Sequence, residues 1–131
     1  MRTLRWTFIV FACLVGIWLS VLLWMTREAV IPGSYSAQGS WGSSTLVLRP
    51  DHTFVQETKF LGASAPMKIN GIWTTDGRSL LNQNLTLKPF VLLGPYHRGR
   101  IVEVMGTSFG PVLLTGLGIE VDTGANIVYR K

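Results

Sequence analysis

The chain has 131 residues, 12 of them Lys or Arg against 7 Asp or Glu, and a formal net charge of +5. That length holds one ordinary domain and an appendage, which excludes a second domain. A single cysteine, Cys13, excludes an intrachain disulfide and a cysteine-based zinc site. The soluble part must therefore fold by burial alone.

From the N-terminus, the first element is an apolar block in which 17 of the 20 residues from Trp6 to Met25 are apolar and none is charged. Without it the apolar fraction falls to about 40%, ordinary for a globular domain. At 1.5 Å rise per residue, a helix over residues 6–25 is roughly 30 Å long, the thickness of the hydrocarbon core of a bilayer. Trp6 and Trp24 would then sit at the two headgroup boundaries as an aromatic belt. Arg2 and Arg5 precede the block, whereas Arg27 is offset by Glu28. This bias keeps residues 1–5 inside, a cytoplasmic N-terminus.

A cleaved signal peptide is the main rival reading, but its apolar region is shorter and no small-x-small site follows before Pro32-Gly33. Val10-Phe11-Ala12-Cys13 is a poor lipoprotein signal, because Phe11 is bulky and the chain stays apolar beyond Cys13. On the helix, Ala12, Gly16 and Ser20 recur every four residues and form a row of small side chains that lets another helix approach closely. Chance is the competing explanation, since small residues are common in such helices.

Residues 26–33 read as a connector, broken at Pro32-Gly33. Residues 34–131 read as an outward-facing, periplasmic all-β domain. Gly, Pro, Asn and Asp punctuate it about every ten residues, and no helical period persists. Thr45–Arg49 and Thr53–Glu57 flank Pro50-Asp51-His52, a turn signal, and form a hairpin with Leu46, Leu48, Phe54 and Gln56 at alternating positions. The other strands are predicted around Tyr35 and over Met67–Thr74, Leu80–Leu87, Arg100–Met105, Val112–Val121 and Ile127–Arg130. Turns are predicted at Asp76-Gly77, Gly94-Pro95, Gly110-Pro111 and Asp122-Thr123-Gly124. About seven or eight strands in this length make a small antiparallel barrel or sandwich, and glycines within the strands favour the curvature of a barrel.

Three motifs, Gly33-x-Tyr35, Ser44-Thr45-Leu46-x-Leu48-x-Pro50-Asp51-x-Thr53-Phe54 and Gly71-x-Trp73, resemble the front half of small bacterial lipocalin-like domains, which are shortened calycins. The resemblance covers roughly residues 33 to 90. It implies an up-and-down antiparallel sheet curled on itself, closed by the Gly-x-Trp strand. It departs where His52 stands in place of the usual glycine. Such domains serve as binding cups, inhibitors and accessory modules alike, so no catalytic residue carries over.

Six carboxylates lie beyond Pro32, and none forms a metal or hydrolase motif with His52 or His97. The reading is therefore non-catalytic, with no cofactor and no metal. His52 in its turn reads as a solvated corner. His97-Arg98-Gly99-Arg100 is the only basic cluster, with Arg98 and Arg100 available to anionic headgroups, an acidic partner or water. Nucleic acid is excluded as a partner, for want of a basic face interleaved with aromatics. The run Pro89-Phe90-Val91-Leu92-Leu93-Gly94-Pro95-Tyr96 is apolar without alternation. Phe90, Val91, Leu92, Leu93 and Tyr96 are either a strand end buried on both faces or a loop offered to a partner or a membrane.

Two functions follow. One is an accessory or structural subunit of a larger membrane complex, of the kind respiratory and photosynthetic assemblies recruit, docked on other membrane protein subunits. The other is a membrane-tethered lipocalin-like module holding a small apolar ligand. The interior of the barrel separates them, since a core filled by side chains leaves no room for a ligand.

Overall fold

The computed structural model describes residues 1–25, 27–78, 82–94, 99–112, 116–122 and 126–131. Helix α1 runs Arg2–Met25, four residues longer at its start than the apolar block. Among the described residues none buries its apolar span, and the stretch Arg2–Trp24, which contains an 18-residue window of mean hydropathy 2.4, is long and apolar enough to cross a membrane. Two of its hydroxyls are satisfied internally: Thr7 donates to the Thr3 carbonyl and Ser20 to that of Gly16. A 3-10 turn over Glu28–Val30 follows, and Ile31 beyond it is fully buried.

Ten strands come next: β1 (Gly33–Gly39), β2 (Gly42–Leu48), β3 (Thr53–Phe60), β4 (Met67–Arg78), β5 (Gln83–Lys88), β6 (Phe90–Val91), β7 (Ile101–Val102), β8 (Met105–Val112), β9 (Gly116–Asp122) and β10 (Asn126–Arg130). Eight of them form a closed barrel in the order β1-β10-β9-β8-β5-β4-β3-β2, every neighbour antiparallel. Barrel closure rests on Ser36 opposite Arg130. Such an up-and-down barrel, preceded by one apolar helix, fits a lipocalin-like architecture. The barrel, rather than the sandwich, is the outcome, and closure removes the sheet edges a hundred-residue sandwich would leave open.

Local sequence explains the pairing. In the β2–β3 hairpin, Leu46 lies opposite Gln56 and Leu48 opposite Phe54, and all four are buried while Thr45 and Glu57 face out. Between β1 and β2 the chain reverses at Gly42, whose φ is +137° and whose missing side chain makes room for the Lys59 carbonyl. Only glycine meets both conditions. At the β2–β3 turn Asp51 accepts from the Thr53 amide and hydroxyl, which fixes the corner and holds the Asp51 carboxyl below its usual range. Beside it, His52 adopts a φ of 67°, the left-handed conformation in which the family pattern has glycine.

Several predicted boundaries move. Asp76-Gly77 is not a turn: β4 continues through a bulge between Thr75 and Gly77, and Gly77 pairs with Asn84. Gly110-Pro111 also lies within a strand, where Gly110 faces Gly118 and Pro111 faces Leu117. Among the described residues the pairing of β8 with β5 ends at Phe109, so no described ladder bond on that side calls for an amide at Pro111. The single strand predicted over Val112–Val121 divides into the end of β8 and β9, and Arg100–Met105 into β7 and the start of β8. Leu80, Pro95 and Thr123-Gly124 lie outside the described residues.

The antiparallel succession defines two ends. Gly33, the β2–β3 turn and Lys131 share the end next to the connector, because Gly33 pairs with Leu48 and Ser36 with Arg130. The segment between β5 and β8, which carries β6 and β7, leaves from the opposite end.

Candidate functional site

The distal end is closed by the chain itself. Phe90, Val91 and Leu93 are at most 1% exposed and Leu92 9%, so residues 90–93 plug the barrel mouth and are not a docking loop. Of the two sequence readings, the strand end buried on both faces is the one that describes Phe90, Val91, Leu92 and Leu93. Among the described residues β6 pairs with β7 alone, Phe90 opposite Val102 and Val91 opposite Ile101. Its other edge meets a side chain. Gln56, fully buried on β3, donates from Nε2 to the Val91 carbonyl at 3.1 Å and accepts the Val91 amide at Oε1, 2.8 Å. The glutamine amide thus stands in for the backbone of a missing strand.

Around this fork lies a buried polar chain. Gln56 Nε2 also donates to the Tyr129 hydroxyl at 3.2 Å, Tyr129 is bonded to Ser44, and Ser44 to Thr58, at 2.7 and 2.8 Å. Burial pushes the Tyr129 phenol up to about 12, against the lowering effect of its Ser44 and Gln56 bonds. Every buried side-chain polar atom among the described residues has a partner. The rest of the interior is filled by Tyr35, Leu46, Phe54, Trp73, Phe109 and their neighbours.

The connector closes the other end. Ile31 enters the core, and its carbonyl accepts from the Tyr35 hydroxyl, whose pKa burial raises. Lys131 donates from Nζ to the carbonyls of Val30 and Pro32, 2.7 and 3.1 Å, and partial burial lowers its pKa. His52 stacks on Trp73 with ring centroids 4.2 Å apart. Its Nδ1 lies 3.1 Å from the Trp73 carbonyl and its Nε2 3.2 Å from Glu28 Oε1. Trp73, 1% exposed, donates from Nε1 to Arg49 O and from its amide to His52 O. The turn is the exposed corner that the sequence suggested, with the His52 side chain 47% exposed, and it is also where connector and barrel meet.

The remaining sequence candidates are scattered. Ala12, Gly16 and Ser20 lie exposed on α1, with Gly16 and Ser20 on an open face of the helix shared with Cys13, Ile17, Val21 and Trp24. A side chain added at Gly16 would touch nothing in this chain. Trp6 and Trp24 are exposed near the two ends of the helix. Arg100 is exposed beside the plug, and its carbonyl accepts the Leu92 amide. Tyr96 and Arg98 lie outside the described residues. Among the described residues, no three His, Cys, Asp or Glu side chains gather as a metal site. Sequence reasoning missed the Gln56–Val91 fork and the Glu28–His52 contact. The one available signal was Gln56, a polar residue at an inward position of an apolar alternation.

No family model matches this chain, and no curated protein or solved structure matches it. What the geometry defines is a class: a lipocalin-like barrel with both mouths stopped by its own chain, behind one long apolar helix.

Proposed function

We propose that this chain is a non-catalytic accessory subunit of a larger membrane protein complex. In this reading α1 is a single-pass anchor in a bacterial inner membrane, with the N-terminus cytoplasmic and the barrel in the periplasm. The observation that carries it is the filled barrel. Fully burying a large apolar side chain stabilises by about 1.5–3 kcal/mol, so expelling Phe90, Val91, Leu92 and Leu93 would cost about 6–12 kcal/mol. A domain of this size has only about 5–15 kcal/mol in total. A ligand that had to displace the plug would nearly unfold its own receptor. The useful surfaces are then the outside of the barrel and the unpartnered face of α1, both of which suit contact with neighbouring subunits.

In lipid, helices gain nothing from the hydrophobic effect on pairing, so close packing at Ala12, Gly16 and Ser20 supplies the attraction. The test is purification in mild detergent, with identification of the membrane proteins that co-migrate. Gly16→Leu keeps the span apolar but separates the backbones, and is expected to reduce co-migration without preventing membrane insertion. Recovery of the protein alone, or equal yields from both forms, would sink the accessory reading.

A further inference from the structure

We infer that the contact of His52 with Glu28 is a proton-dependent latch between the barrel and its connector. The argument is a count of protons. The Trp73 carbonyl 3.1 Å from His52 Nδ1 can only accept, so Nδ1 carries a hydrogen. An ionised Glu28 carboxylate, 3.2 Å from Nε2, can also only accept. A neutral imidazole has one N–H and cannot serve both. The geometry needs one proton more, on Nε2 as imidazolium or on Glu28 as a carboxylic acid donating to Nε2. Both side chains are about half exposed, 47% and 50%, so when that proton leaves the direct bond is lost and water takes its place. The shared proton is held at low pH and given up as pH rises, so the latch closes in acid and opens toward alkaline pH.

The other charges at this end have partners or positions elsewhere. Asp51 is held by Thr53 with Arg49 near it, Asp76 on β4 accepts from Thr86, and Lys131 holds the carbonyls of Val30 and Pro32. Arg27 flanks Glu28 on the connector. Ile31 is locked by burial and by Tyr35, and Val30 by core packing and by Lys131, so opening the latch loosens residues 27–29 and no more. The barrel stays folded while its joint to α1 loosens. His52 is held for this by its stacking on Trp73 and by the left-handed turn. The inference rests on the anchor reading in one respect, that α1 is fixed in a bilayer and the joint sets how the barrel stands over it.

The test is the distance distribution between spin labels at Val21 and Thr45 in the full chain, in a Cys13→Ala background, incorporated in phosphatidylcholine nanodiscs. The expected result is a narrow distribution at about pH 5 and a broad one at about pH 8. Glu28→Gln discriminates, because an amide can accept from an imidazolium or donate to a neutral Nε2, and is expected to keep the distribution narrow at both pH values. His52→Gly, tolerated by the φ of 67°, is expected to broaden it at both. The inference is overturned if the parent distribution is the same at both pH values, if Glu28→Gln broadens as the parent does, or if His52→Gly stays narrow. Failure of the chain to enter nanodiscs would instead strike the anchor reading, and the same distances measured in detergent would still decide the latch.

Discussion

Replacing Gln56 by alanine removes the donor and the acceptor that satisfy Val91, both inside the barrel. Each buried group left unsatisfied costs about 1–3 kcal/mol, so the variant is expected to lose about 2–6 kcal/mol, a large share of the stability of so small a domain. Gln56→Glu separates loss of hydrogen bonds from loss of volume. A protonated carboxyl group has one donor and one acceptor and reproduces the fork, whereas the carboxylate has no donor and is a buried charge. Burial raises the folded pKa of such a carboxyl above its unfolded value of about 4.3, so its stabilising form is fully present below that value and lost as pH rises through the folded pKa. The Glu variant keeps the fork but lacks the second N–H that Gln56 gives Tyr129, so it is expected to fall short of the parent by about one hydrogen bond at about pH 4 and well below it at about pH 7. Urea unfolding in mild detergent, followed by near-ultraviolet circular dichroism with each variant compared to the parent at the same pH, measures both. An alanine variant within about 0.5 kcal/mol of the parent, the range of an inert surface change, would refute the fork as the lock on the plug.

Trp73→Ala should cost on the order of 3–5 kcal/mol, since a fully buried ring and the bond to Arg49 O are lost together; an unchanged melting temperature would overturn the placement. Tyr129 should titrate near 12 and not near 10, visible as late tyrosinate absorbance. Because its folded pKa lies above the unfolded one, its stabilisation is complete below 10 and lost as pH rises through about 12, so alkaline unfolding is expected in that window. A Ser40→Cys chain lacking Cys13 should react with an impermeant thiol reagent on intact cells. Protection until lysis would reverse the proposed orientation.

The barrel was legible in the sequence because its strands obey a local rule. Leu46, Leu48, Phe54 and Gln56 alternate, and Pro50-Asp51 marks a turn whatever lies elsewhere in the chain. Asp76-Gly77 and Gly110-Pro111 misled because turn residues also suit bulges and strand sections with one unpaired side, and which applies depends on how far the neighbouring strand runs. The plug was illegible for a stronger reason. Alternation identifies a strand with one wet face, but Phe90–Leu93 are buried all round, and the Val91 backbone is met by a side chain 35 positions earlier. The latch is similar: His52 and Glu28 are 24 residues apart, and only the closure of the barrel beside its connector brings them together.

Gly71 shows how one motif of the family resemblance acquires a physical reason. It lies on β4 opposite Phe54, two residues before Trp73 and on the same face. A side chain there would strike the Lys88 carbonyl oxygen and approach the Phe54 ring to 2.6 Å. Gly71→Ala adds one methyl group, and overpacking of this kind costs about 1–3 kcal/mol when neighbours must shift. Two obstacles differ in kind, since the ring belongs to a replaceable side chain and the carbonyl to the backbone of β5. In a Phe54→Leu background the ring is gone, so the added methyl should cost less than in the parent, yet the Lys88 carbonyl keeps the penalty above zero. A thermodynamic cycle over the two substitutions reads that difference as a coupling energy, expected at 0.5 kcal/mol or more for residues in contact. A coupling near zero with a full penalty would assign the constraint to the backbone alone, and no penalty in either background would show that β4 does not approach Phe54 and Lys88 as described.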